Sequence, residues 1–170
     1  MQFIDVYLCK FIQKYTMTAS IVYTGNLRCA AQHIQSGTTI ESDAPTDNRG
    51  KGEKFSPTDL LCVSLGTCML TTMAIKAGEL QVDITNAKAE VTKHMLSDPR
   101  RVGKIEVSLS LPANGSERDR KILEETGDNC PVIKSIHPEI ELVISYRWNL
   151  PVFSGEEIKN NLSAATQVQV

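Results

Sequence analysis

The chain has 170 residues, 41% hydrophobic and 22% charged, with 18 basic against 20 acidic side chains and a net charge of −2. That length fits one domain of roughly 100–200 residues with appendages. The charge balance argues against a nucleic-acid scavenger, which needs a basic face, and the composition excludes collagen, coiled coil and low-complexity disorder.

No window holds about 18 uninterrupted apolar residues, so no membrane span is expected. The first sixteen residues, MQFIDVYLCKFIQKYT, place Asp5 early and Lys10 and Lys14 late. A secretory signal has the opposite charge order. Two readings of this segment stay open: an extension ahead of a start at Met17, or a short helix with Ile4, Leu8, Phe11, Ile12 and Tyr15 at helical spacing. From Met17 the pattern becomes that of short strands, at 19–23, 27–34 and 38–42, punctuated by turns at Thr24-Gly25-Asn26 and Ser36-Gly37. Residues 43–55, with Pro45, Gly50, Gly52 and three basic side chains, read as a loop long enough to be functional.

Ser56-Pro57-Thr58-Asp59 opens a helix: Ser56 suits the N-cap, Pro57 the first position, and Asp59 the helix dipole. The helix is expected over 57–77, stopped by Gly78. It carries almost no charge between Leu60 and Ile75. A helix apolar all round is buried on nearly every side. One domain of this size seldom hides it alone, so a partner chain is expected to help. Period-two alternation then predicts strands at 81–93 and 102–111 with a turn over 94–101. A helix is expected over 117–126, ended by Gly127, then a short helical segment from Cys130, then a strand over 139–147. The order β-β-β-α-β-β-α-β, with antiparallel meanders, makes the class α+β. The domain is expected to span 17–150, followed by a polar tail at 151–170.

Five cysteines, Cys9, Cys29, Cys62, Cys68 and Cys130, are scattered without a C-x-x-C pair. An odd, dispersed set does not fit a secreted disulfide framework or a zinc ribbon, and a reducing, cytoplasmic setting is expected. His33, His94 and His137 stand apart in sequence and read as surface or loop residues. Cys62 and Cys68 differ by about 600° of helical rotation and face different ways. Cys9, Cys29 and Cys62 read as structural. Cys130, at a helix start beside Pro131, is expected to have a depressed pKa.

Two stretches carry a resemblance. Phe55-Ser56-Pro57-Thr58-Asp59-Leu60-Leu61 through Ser64-Leu65-Gly66-Thr67-Cys68 is similar to the first-cysteine helix of the OsmC/Ohr family, with the cysteine eleven residues past the proline. Asn129-Cys130-Pro131-Val132-Ile133-Lys134-Ser135 resembles that family's second-cysteine segment, sixty-two residues further on. The resemblance runs from about Thr18 to Trp148. It implies an intertwined homodimer in which sheets wrap two central long helices. It also implies thiol-dependent reduction of organic hydroperoxides in oxidative-stress defence. By position Cys68 would be peroxidatic and Cys130 resolving, through a sulfenic acid and then a disulfide. A dithiol reductant, such as a lipoyl-type one, would restore the pair. No metal or organic cofactor, nucleic acid or membrane is called for.

The family places an arginine, salt-bridged to a glutamate, beside the first cysteine. This chain departs from that pattern. Thr58 stands ten residues before Cys68, and Asp59 is the nearest acid. Arg28, one residue out of register with the family's turn motif, and Arg49, in the 43–55 loop, are the candidate cations. Two other functions remain open beside the peroxidase: a non-enzymatic redox-sensing or small-molecule-binding dimer, and thiol transfer with Cys130 as the low-pKa group.

Overall fold

The computed structural model describes residues 17–151. The expectations for residues 1–16, including Cys9, and for nearly all of the 151–170 tail lie outside them. The chain divides into two compact units, one ending at Pro57 and the other beginning at Thr58.

In the first unit, β1 (Ala19–Gly25), β2 (Arg28–His33) and β3 (Thr39–Asp43) form an antiparallel sheet in chain order. The β1–β2 turn needs positive φ at Gly25, Asn26 and Leu27, and a bulge follows Tyr23. The 43–55 loop holds one 3₁₀ turn, Thr46–Asn48, capped by Arg49 in the left-handed region.

The second unit carries the core. α1 runs Pro57–Glu79, two residues beyond the expected end at 77, because Gly78 continues the helix. Its buried residues, Cys62, Leu65, Gly66, Met69, Met73 and Ala77, form one stripe at helical spacing. Gly66 lets α1 pack closely on β4: a Cβ there would sit 3.0 Å from Val91 Cγ2. Leu61 and Ile75 stay exposed, so α1 is buried along one side and not all round. By length and composition alone α1 is also long and apolar enough to cross a membrane, although no uninterrupted apolar run of that length occurs in it. Its hydroxyls explain the difference. They interrupt the run yet fold back onto the helix, Thr67 onto Val63 O and Thr71 onto Thr67 O.

β4 (Lys88–Ser97), β5 (Arg100–Pro112) and β6 (Glu141–Leu150) make the second sheet, with β5 in the middle. β4 begins later than the expected residue 81, because Gln81 and Asn86 adopt left-handed backbone and Asp83 accepts the Thr85 amide in a local turn. Both hairpin strands extend into the region read as a turn, leaving only Asp98-Pro99 between them. β6 pairs with β5 in parallel, Ser108 opposite Ser145, which corrects the expectation of antiparallel meanders throughout. The reason is the connection. α2 (Glu117–Asp128) and α3 (Pro131–Ser135) form a crossover long enough to bring β6 back in the same direction. α2 starts with a Ser116–Asp119 capping box and runs through Gly127. Ile105, Val107, Leu109 and Leu111 of β5, together with Leu123 of α2, are buried against the α1 stripe in one core.

Candidate functional site

α1 and the α2–α3 junction bring Cys68 and Cys130 together, across sixty-two residues of sequence. Cys68 is half-buried on α1. Cys130 is 0% exposed and forms the N-cap of α3, with its amide donating to Gly127 O at 3.1 Å. The two side chains lie close enough for Cys68 to act on the ionisation of Cys130. Burial pushes the Cys130 thiol up. The amides of Ile133 and Val132 pull the other way, while Cys68 adds to the rise. The depressed pKa expected for Cys130 is therefore corrected. α3 has only five residues, and the cost of desolvating a thiolate exceeds what its amides return.

A charge pair lies at the start of α1. Lys93 Nζ donates to Asp59 Oδ1 at 2.5 Å and to Thr58 Oγ1 at 2.9 Å. Lys93 projects from the inner face of β4, in phase with Ala89, Val91 and Met95, and its side chain is 18% exposed. The pair bears on Cys62, one turn along α1. That thiol is raised first by burial, with Lys93 lowering it and Asp59 raising it.

In the first unit, Arg28 Nη2 meets Asp43 Oδ2 at 3.2 Å and also the Glu53 carboxylate. The Glu53 amide donates to the same Asp43 oxygen at 3.1 Å, so the 43–55 loop is fastened to β2 and β3. Burial acts to raise the Asp43 carboxyl, but the Glu53 amide and the Arg28 guanidinium outweigh it and hold the group below its ordinary value. Glu53, and then Asp43, hold Arg28 in its charged form. Among the described residues, Arg28 Nε and Asp43 Oδ1 are buried without a hydrogen bond. Arg49 is exposed in the loop. Arg28 and Asp59 belong to different units, and each is engaged within its own.

Residues 50–145 match the family described as OsmC-like protein. The chain belongs to that family. It is 45% identical to a protein of known structure from Psychrobacter arcticus 273-4, provisionally named an osmotic stress induced and detoxification response protein. The match covers 78% of this chain and 96% of that one, with a TM-score of 0.75. An organic hydroperoxide resistance protein OsmC from Legionella pneumophila matches at 15% identity over 79% of this chain and 98% of its own, TM-score 0.60. An organic hydroperoxide resistance protein from Elizabethkingia anophelis matches at 15% over 80% and 99%, TM-score 0.60. These last two share the fold. A comparison with functionally curated proteins finds no match.

Within this OsmC-like chain, sequence reasoning missed Lys93. A lysine in Val91-Thr92-Lys93-His94-Met95 reads as a solvated charge, but period-two phase places it inward beside Val91 and Met95. It also missed Asp43 and Glu53 as partners of Arg28. The β2–β3 register sets Arg28 opposite Asp43, and a strand pairing of that kind is invisible before the fold is known. Cys29 lies half-buried on β2, and Cys62 is 4% exposed. Among the described residues no three His, Cys, Asp or Glu side chains gather as a metal site would need.

Proposed function

We propose that this OsmC-like protein reduces organic hydroperoxides through Cys68 and Cys130. The supporting observation is that these two thiols, from segments far apart in sequence, lie close enough for Cys68 to act on the ionisation of Cys130. The half-buried Cys68 is the attacking sulfur. Its thiolate displaces on the O–O bond, becoming a sulfenic acid while the alkoxide leaves as the alcohol. Cys130, held as a thiol by burial, gives up its proton as its sulfur condenses with the sulfenic acid; a disulfide forms and water leaves. A dithiol then reduces that disulfide. The raised Cys130 thiol disfavours thiol transfer led by Cys130. Arg28, kept charged by Glu53 and Asp43, remains the candidate cation by the resemblance of its sequence position alone. Asp59 is paired with Lys93 and takes no part in holding Arg28 in this reading.

The working form is a homodimer in a reducing, cytoplasmic setting. Ile21, Val22, Tyr23 and Ile40 of the first sheet, and Leu61 and Ile75 of α1, are apolar side chains left exposed that a second copy would cover. Two members of the fold carry names of organic hydroperoxide resistance, which supports the substrate class.

The test is consumption of cumene hydroperoxide by the reduced protein with a dithiol. Cys68→Ser should reduce turnover to background. Cys130→Ser should leave the first step intact and accumulate a sulfenic acid trappable by dimedone. A wild type no faster than Cys68→Ser would overturn the peroxidase and leave the non-enzymatic redox-sensing or small-molecule-binding dimer as the reading to test.

A further inference from the structure

The residue that grips the Cys130 segment is on β6. Inward-facing Tyr146 donates its hydroxyl to Asp128 Oδ1 at 2.7 Å and lies 3.2 Å from Glu124 O, both at the last turn of α2. Next along β6, Trp148 Nε1 donates to Glu124 Oε1 at 2.7 Å, and the Arg120 guanidinium lies 5.4 Å from its ring centroid. Between Tyr146 and α1 sits Gly127. A Cβ there would come 2.9 Å from the tyrosine hydroxyl and 3.0 Å from Met73 Sδ. β6, α2 and α1 therefore meet at this glycine with no room for a side chain, five residues along α1 from Cys68 to Met73. Cys130 follows at once: its amide bonds Gly127 O, and that of Asn129 bonds Thr126 O at 3.3 Å. Tyr146 thus holds the base of the short segment on which Cys130 is mounted.

We propose that the Tyr146–Asp128 hydrogen bond is a latch that positions Cys130 for bond formation with Cys68. Tyr146 and Asp128 are positioning residues; neither touches the reacting sulfurs in this scheme. The latch keeps Cys130 facing Cys68 while α1 and the α2–α3 junction carry the two thiols on separate elements. The idea rests on the proposed function only in taking the two cysteines to form a disulfide.

Glutathione disulfide tests it without a peroxide. The Cys68 thiolate attacks one glutathione sulfur, breaking the S–S bond and releasing one glutathione as thiol. Cys130 then displaces the second glutathione from Cys68, so two protein thiols are oxidised and two glutathiones are formed. The ratio of intramolecular to mixed disulfide gives the effective concentration of Cys130 at Cys68. Tyr146→Phe, which keeps the ring and removes the hydroxyl, should lower that ratio about ten- to a hundredfold, the loss expected for one hydrogen bond to a charged group. The alkylation rate of Cys68 in a Cys130→Ser background should stay unchanged by it. Asp128→Asn, still an acceptor, should retain most of the ratio, while Asp128→Ala should behave like Tyr146→Phe. Trp148→Phe removes the neighbouring bond to Glu124 while keeping an aromatic ring beside Arg120, and should leave the ratio within about twofold. The proposal is overturned if Tyr146→Phe pairs its cysteines as well as wild type, if Cys68 alkylation slows in parallel, or if wild type stops at the mixed disulfide. A wild type that pairs its cysteines here yet consumes no hydroperoxide keeps the latch and loses the peroxidase.

Discussion

The sheet of β4, β5 and β6 alternates along β5, with Ile105, Val107, Leu109 and Leu111 essentially inaccessible to solvent. In the sheet of β1, β2 and β3, the consecutive residues Ile21, Val22 and Tyr23 are 68%, 59% and 63% exposed. Neighbours on a strand point to opposite faces, so β1 offers apolar surface on both sides. Among the described residues, every buried hydrophobic side chain belongs to the second unit. A three-stranded sheet needs a covered hydrophobic face to be stable by itself. One sheet therefore draws its stability from its own helices. The other carries the pattern of a sheet whose cover comes from elsewhere, in keeping with the proposed dimer.

The comparison can be broken from its strongest side first. Leu109→Ala should destabilise the chain by about 2–5 kcal/mol, because the cavity opens in a core that cannot close around it; the denaturant midpoint reads this. A smaller effect lies at high pH. Burial, and then the hydrogen bond to Asp128, raises the Tyr146 phenol above its ordinary value. Its contribution is complete below the unfolded pKa of about 10 and is lost as pH rises beyond it. Wild-type stability should fall above about pH 10, and Tyr146→Phe should flatten that limb of a pH–stability curve. The smallest effect belongs to the first sheet. In dilute protein, Ile21→Ser should change stability by less than about 0.5 kcal/mol. At concentrations where copies associate, its cost should grow with concentration. An Ile21→Ser cost equal to that of Leu109→Ala at every concentration would end the contrast between the two sheets.

The long helix and the two cysteines were legible because local chemistry marks them. Pro57 and Asp59 start α1, its uncharged run excludes solvent on one side, and Cys130 stands before a proline. The direction of β6 was not legible. An alternating strand such as Leu142-Val143-Ile144-Ser145 has the same pattern whichever way its neighbour runs, and the α2–α3 crossover decides it. The ionisation of Cys130 was misread because a helix start is visible in sequence, whereas complete burial is a property of the assembled core. Lys93 was passed over for a related reason: charge suggests solvent, but strand phase and the waiting Asp59 carboxylate turn it inward.

The parallel pairing of β5 with β6 also sets an order on the ribosome. β5 is complete at Pro112, but its partner strand ends only at Leu150. During synthesis of the residues between, α1 can settle on the β4–β5 hairpin while one edge of β5 stays open. An open apolar strand edge is a template for another nascent chain. The interval between those two points of synthesis is when this protein is most exposed to aggregation, and slowing elongation there would lengthen it.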